Sequence, residues 1–105
     1  MGKRIELCRT DDVARGCALR VETAGLVLAV FNLDGEFRVI DDACTHGPGS
    51  LSDGLIEGGR VECNFHSGVF DIRTGEVVRQ PPMMPVKTYP VLVENGKILI
   101  EVIDH

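Results

Sequence analysis

Short apolar runs alternate with turn residues along this chain, and no stretch of twelve residues keeps a helical spacing. Residues 18 to 23 alternate strictly, Leu19 and Val21 against Arg20 and Glu22, which predicts a half-buried strand. Ala24-Gly25 turns the chain, and Leu26 to Leu33 is apolar at nearly every position, the pattern of a central strand. Asp34-Gly35 marks a hairpin whose return strand carries Phe37, Val39 and Asp41 in alternation. Residues 4 to 8 predict a first strand, and 11 to 13 a turn ended by Gly16. Further on, Leu51 to Ile56 reads as a turn-rich excursion, Glu57-Gly58-Gly59 as a hairpin, and Arg60 to Glu62 as a strand. Val69 to Ile72 is the next strand, Thr74-Gly75 turns it, and Glu76 to Val78 pairs back. Gln80 to Pro85, with three Pro and two Met, predicts a loop. Val86 to Glu94 and Lys97 to Ile103 form a terminal hairpin about Asn95-Gly96. Short strands with turns at roughly ten-residue spacing predict an all-β antiparallel sandwich or barrel. At 105 residues it is read as one domain, 1–105, with a small β subdomain from about 43 to 80 on a base formed by the rest.

Two turns inside that subdomain carry the candidate chemistry. Cys44-Thr45-His46-Gly47 and Cys63-Asn64-Phe65-His66-Ser67-Gly68 supply two thiols and two imidazoles, with sixteen residues, 47 to 62, between the pairs. Equal numbers of thiolate and imidazole suit a tetrahedral zinc, or a [2Fe–2S] cluster with Cys on one iron and His on the other. Structural zinc sites commonly space like ligands together, whereas each turn here gives one of each kind. A nucleophilic Cys63 with a His base lacks a third orienting residue at a recognisable spacing.

The pattern C-x-H, sixteen residues beginning with Gly47, then C-x-x-H-x-G resembles that of Rieske iron–sulfur proteins. Leu51-Ser52-Asp53-Gly54, Phe70 to Gly75, Pro81-Pro82 and Tyr89-Pro90-Val91 extend the resemblance to the small ferredoxins of bacterial aromatic-ring dioxygenases of the biphenyl, toluene and naphthalene type. The resemblance implies a Rieske-like sandwich with a cluster-binding subdomain and one [2Fe–2S] cluster held by Cys44, His46, Cys63 and His66. It implies a one-electron carrier, not itself an enzyme, between an NADH-dependent flavoprotein ferredoxin reductase and the Rieske domain of a terminal oxygenase. Three His in all leave only His105 outside the cluster set, too few for the two His of a mononuclear oxygenase iron. The alternatives are a small Rieske-type subunit of an assimilatory nitrite reductase and a Cys2His2 structural zinc protein.

Charge narrows the partners. The formal net charge is −5, and no Lys/Arg cluster exists beyond Lys3-Arg4, so nucleic acid is set aside. An acidic carrier suits a partner with a positive docking surface. Lys3-Arg4 runs into Ile5-Glu6-Leu7-Cys8-Arg9 without the apolar core of a secretory signal, and the longest uncharged apolar run, 24 to 33, is too short to span a bilayer. A cytoplasmic monomer off the membrane, with Cys8 and Cys17 as core thiols, is the expectation. The resemblance also implies a third loop at 81–85 over the cluster, and the expected placement of His46 and His66 at loop tips predicts docking at that end. Leu51, Val69, Met83 and Met84 would form the dry centre there, with Asp53 and Glu57 as an acidic rim. Respiratory Rieske proteins carry a disulfide and Ser and Tyr hydroxyls about the cluster. The matching positions here are Gly49, Phe65, Gly68 and Phe70, which implies a low reduction potential.

Overall fold

The computed structural model describes residues 2–43, 49–63, 68–79 and 84–103. Its strands are β1 (Gly2–Arg9), β2 (Ala18–Thr23), β3 (Leu26–Leu33), β4 (Glu36–Asp41), β5 (Leu55–Glu57), β6 (Arg60–Glu62), β7 (Val69–Asp71), β8 (Val77–Arg79), β9 (Thr88–Tyr89), β10 (Val91–Glu94) and β11 (Lys97–Ile103). Single 3-10 turns occupy Thr10–Asp12 and Leu51–Asp53. The strands form three antiparallel sheets, ordered β1-β11-β10, β2-β3-β4-β9 and β5-β6-β7-β8.

The apolar run of β3 explains the layering. Leu28 and Val30 point to one side and join Val39, Tyr89, Ile98 and Ile100 in a core shared with the β1-β11-β10 sheet. Ala29 and Phe31 point to the other side and join Leu51, Val61, Cys63 and Phe70 in a core shared with the β5–β8 sheet. The middle sheet is thus covered on both faces, which is why its central strand lacks polar alternation. Each large side chain buried there contributes roughly 1.5–3 kcal/mol. Four two-residue turns, at Ala24-Gly25, Asp34-Gly35, Gly58-Gly59 and Asn95-Gly96, have φ positive at both central residues and fix the register of four hairpins.

The structure corrects the sequence reading at three places in the fold. The excursion 51–56 resolves into the 3-10 turn and then β5, which opens a hairpin with β6. The segment 86–94 is not one strand: Pro90, which has no N–H to give a ladder, divides it. Tyr89 and Thr88 pair with Val39 and Ile40 of β4, whereas Val91–Glu94 pairs with β11, so the chain changes sheets at the proline. Cys17 is an exposed turn residue and Cys8 is half-buried, so Cys17 is no core thiol. Of the predicted loop 80–85, only Met84 and Pro85 fall among the described residues.

Candidate metal centre

The two Cys/His turns are held at their necks, and the necks are described. The first spans Ala43 and Ser50, which form an isolated antiparallel bridge. Below it the Leu51 N–H donates to the Asp42 carbonyl at 2.7 Å. Asp42 is buried, and its carboxylate accepts from the Ser52 N–H at 2.8 Å and from Ser50 Oγ at 2.5 Å. At the second neck Glu62 faces Val69 across the β6–β7 ladder, and the Cys63 N–H donates to the Gly68 carbonyl at 2.6 Å. Cys63 itself is 2% exposed.

Both necks are rooted in one apolar core. Leu51, fully buried one residue past the first neck, belongs to the same cluster as Cys63 and Phe70 of the second. Gly54 lets them meet: a Cβ there would fall on the Glu62 carbonyl oxygen and press on Val61 Cγ2. The Leu51–Gly54 turn therefore lies directly on β6, the strand that delivers Cys63. Gly75 works similarly at the far end of the subdomain. It has φ +78°, a Cβ on it would strike the Val86 carbonyl oxygen, and the Val86 N–H donates to its carbonyl at 2.8 Å. This contact ties the end of the β5–β8 sheet to the segment leaving the third predicted loop. Arg73, beyond β7, reaches across to Glu36 of β4 at 3.1 Å, and this bond, with a second from Arg38, holds the Glu36 carboxyl below its usual value of 4.5.

Of the four ligands expected from the sequence, Cys63 is described; Cys44, His46 and His66 lie outside the described residues, as do Pro81, Pro82 and Met83 of the third loop and His105. The described parts fit a two-iron cluster. Cys63 is buried at the mouth of the second turn, and the neck of the first turn is rooted through Leu51 in the same core. Leu51, expected in a docking surface, is instead an interior anchor at 0% exposure. Met84 and Leu55 are each 66% exposed. Leu55 was not singled out by the sequence, although its alternation with the inward Ile56 could have flagged it. Leu55, Glu62, Val69 and Arg79 form one cross-strand row on the outer face of the β5–β8 sheet. They line a cleft of about 440 Å3 together with Glu57, Arg60 and Val78. Asp53 and Glu57 are exposed.

This architecture and these necks are those of a Rieske protein, and the chain belongs to the Rieske [2Fe-2S] domain family, whose model matches residues 3–90. It is 48% identical over 103 residues to the ferredoxin component of the p-cumate 2,3-dioxygenase system of Pseudomonas putida, covering 96% of this chain and 87% of that protein. A ferredoxin from Sphingomonas yanoikuyae B1 superposes with a TM-score of 0.91 at 42% identity, covering 95% of this chain and 99% of that one. A structure described as the complex of reduced oxygenase and oxidised ferredoxin in carbazole 1,9a-dioxygenase contains a chain that matches with a TM-score of 0.87 at 34% identity, covering 92% of this chain and 91% of that one. The cofactor of the family is the Rieske [2Fe–2S] cluster. Among the described residues no helix is long and apolar enough to cross a membrane.

Proposed function

We propose that Cys44 and Cys63 hold one iron and His46 and His66 the other, and that the chain, 1–105, works as a single electron-carrying unit. The region from about 43 to 80 is its cluster-binding part. It carries electrons from an NADH-dependent flavoprotein reductase to the Rieske domain of the terminal oxygenase of an aromatic-ring dioxygenase. When bound, the cluster accepts and releases one electron at a time. The protein's own part is to close both turns, keep the Cys side dry and present the other end to a partner. Cys63, with its N–H committed to Gly68 and its side chain in the apolar core, sits on the dry side. The net charge of −5 favours encounter with a positive docking surface. The carrier works as a cytoplasmic monomer.

The observation that supports this reading most is the shared root of the two necks, Leu51 and Cys63 in one buried cluster. The test is a reconstitution. The holoprotein is added to a flavoprotein ferredoxin reductase and an oxidised terminal oxygenase of the p-cumate type, with NADH. Reduction of the oxygenase cluster should depend on the concentration of this protein. An oxygenase that is reduced equally fast without it, or a protein that takes up no electron from the reductase, would overturn the reading.

A further inference from the structure

Asp42 does more than the neck requires. Its backbone N–H donates to the Val27 carbonyl of β3 at 3.0 Å and its carbonyl accepts from the Leu51 N–H, so the backbone alone ties the end of β4 to β3 and to the far side of the first neck. The carboxylate then takes Ser52 N–H on one oxygen and Ser50 Oγ on the other. Ser50 Oγ lies 3.1 Å from Ser52 Oγ, so these hydroxyls can redistribute their protons. An asparagine would serve the same network: its oxygen accepts from the Ser52 N–H and its amide donates to Ser50 Oγ. A buried charge is costlier than a buried amide. The side chain of Asp42 is 4% exposed, and among the described residues it forms an ion pair with the half-exposed Arg20, whose Nε is 3.8 Å away.

The charge is therefore to be explained by something other than the staple. Two residues onward is Cys44, so chain connectivity alone keeps the two Cα atoms within about 7 Å. A charge buried so close in the chain to a ligand is little screened by salt. It opposes the arrival of an electron and so favours the oxidised centre.

We propose that Asp42 is a positioning residue of the electron-transfer centre, whose buried carboxylate closes the first ligand turn and also holds the reduction potential down, with Arg20 as its partial counterweight. This rests on the ligand assignment above. The test is redox titration of holoproteins, with iron and sulfide content measured on the same samples. Asp42→Asn should keep the cluster and shift the one-electron equilibrium toward reduction about tenfold, which is about 59 mV. Arg20→Gln should keep the cluster and shift it the opposite way by a smaller factor. Arg4→Gln, whose partner is Glu94 on the outer sheet, should not shift it. A purely structural Asp42 would change cluster content and leave the Arg20→Gln potential at the parent value. An unchanged potential in a cluster-loaded Asp42→Asn, or in Arg20→Gln, overturns the proposal. Should Asp42→Asn fail to hold its cluster, the Arg20→Gln result decides alone. A parent protein without iron and sulfide would overturn the ligand assignment first and this proposal with it.

Discussion

Gly54→Ala isolates the contact that brings the two necks together. Gly54 has φ −78° and ψ 170°, an extended conformation that alanine adopts without strain, so only the added methyl matters. That methyl would fall on the Glu62 carbonyl oxygen and meet Val61 Cγ2 at 2.8 Å and the Leu51 carbonyl oxygen at 3.1 Å. Two of these three atoms are backbone and cannot rotate away. The Leu51–Asp53 turn has to lift off β6, and overpacking of this kind costs about 1–3 kcal/mol. For a domain of this size each kcal/mol lowers the melting temperature by about 4–8 °C, so the variant should melt roughly 5–20 °C below the parent. It should also lose its visible absorbance faster at a fixed temperature, because the lifted turn carries Leu51 and with it the first neck. Gly96→Ala is the control. Gly96 has φ +74° at a hairpin tip, and a Cβ there would meet only Arg9 Nη2 and Thr10 Oγ1, each at an ordinary contact distance of 3.9 Å, so alanine there meets backbone strain and no clash. It should lower the melting temperature by less and leave the bleaching rate unchanged. Thermal melts by circular dichroism, with absorbance decay in parallel, make the comparison. If Gly54→Ala melts within about 2 °C of the parent and bleaches no faster, the close approach of the turn to β6 does not hold the centre together.

Three further outcomes follow from particular groups. The Tyr89 hydroxyl donates to Asp41 Oδ1 at 2.6 Å, a bond to a charged acceptor that also pushes the Tyr89 pKa up, behind burial as the larger cause. Tyr89→Phe should therefore cost about 1.5–3 kcal/mol in thermal melts, and a neutral result would count against that bond. Burial, and then Asp12, pushes the Cys8 thiol up to about 11, while Cys17 is exposed. Brief alkylation at pH 8 followed by peptide mass spectrometry should mark Cys17 first, and equal labelling would refute the burial argument. The reduction potential should lie near the low end of the Rieske span of about −150 to +300 mV. Phe70→Tyr, which restores the hydroxyl of respiratory members next to the Cys63 core, should raise it; a parent midpoint in the upper half of that span would contradict the low-potential reading.

What was legible in the sequence had strong local causes. The Asp34-Gly35 and Asn95-Gly96 turns dictate their own hairpins, and β2, β3, β6 and β11 start and end where the apolar pattern does. The apolar character of Leu26 to Leu33 marked the central strand, though not the layers on each side of it. Partnership across the chain was what the pattern could not carry. Nothing local says that residues 88–89 belong with β4 while 91–94 belong with β11, since the division at Pro90 is settled by two different sheets competing for one segment. Leu51 reads as a surface residue of a turn until the fold places it against Val61 and Phe70. Asp42 showed no sequence signal beyond its nearness to Cys44, because its role depends on Ser50, Ser52 and Arg20 arriving from three other positions. The two thiol–imidazole pairs stand out in the sequence because their spacing needs no tertiary information; of the four residues, Cys63 lies among the described ones.

The central claim is that these two turns hold a two-iron cluster with mixed ligation, and metal and sulfide content of the protein as purified tests it most directly. The account predicts a red-brown protein with about two irons and two acid-labile sulfides per chain. Both should be lost, together with much of the fold, in Cys44→Ser and in Cys63→Ser, because binding free energy at such a site is also folding free energy. A colourless protein carrying one zinc and no sulfide would contradict it.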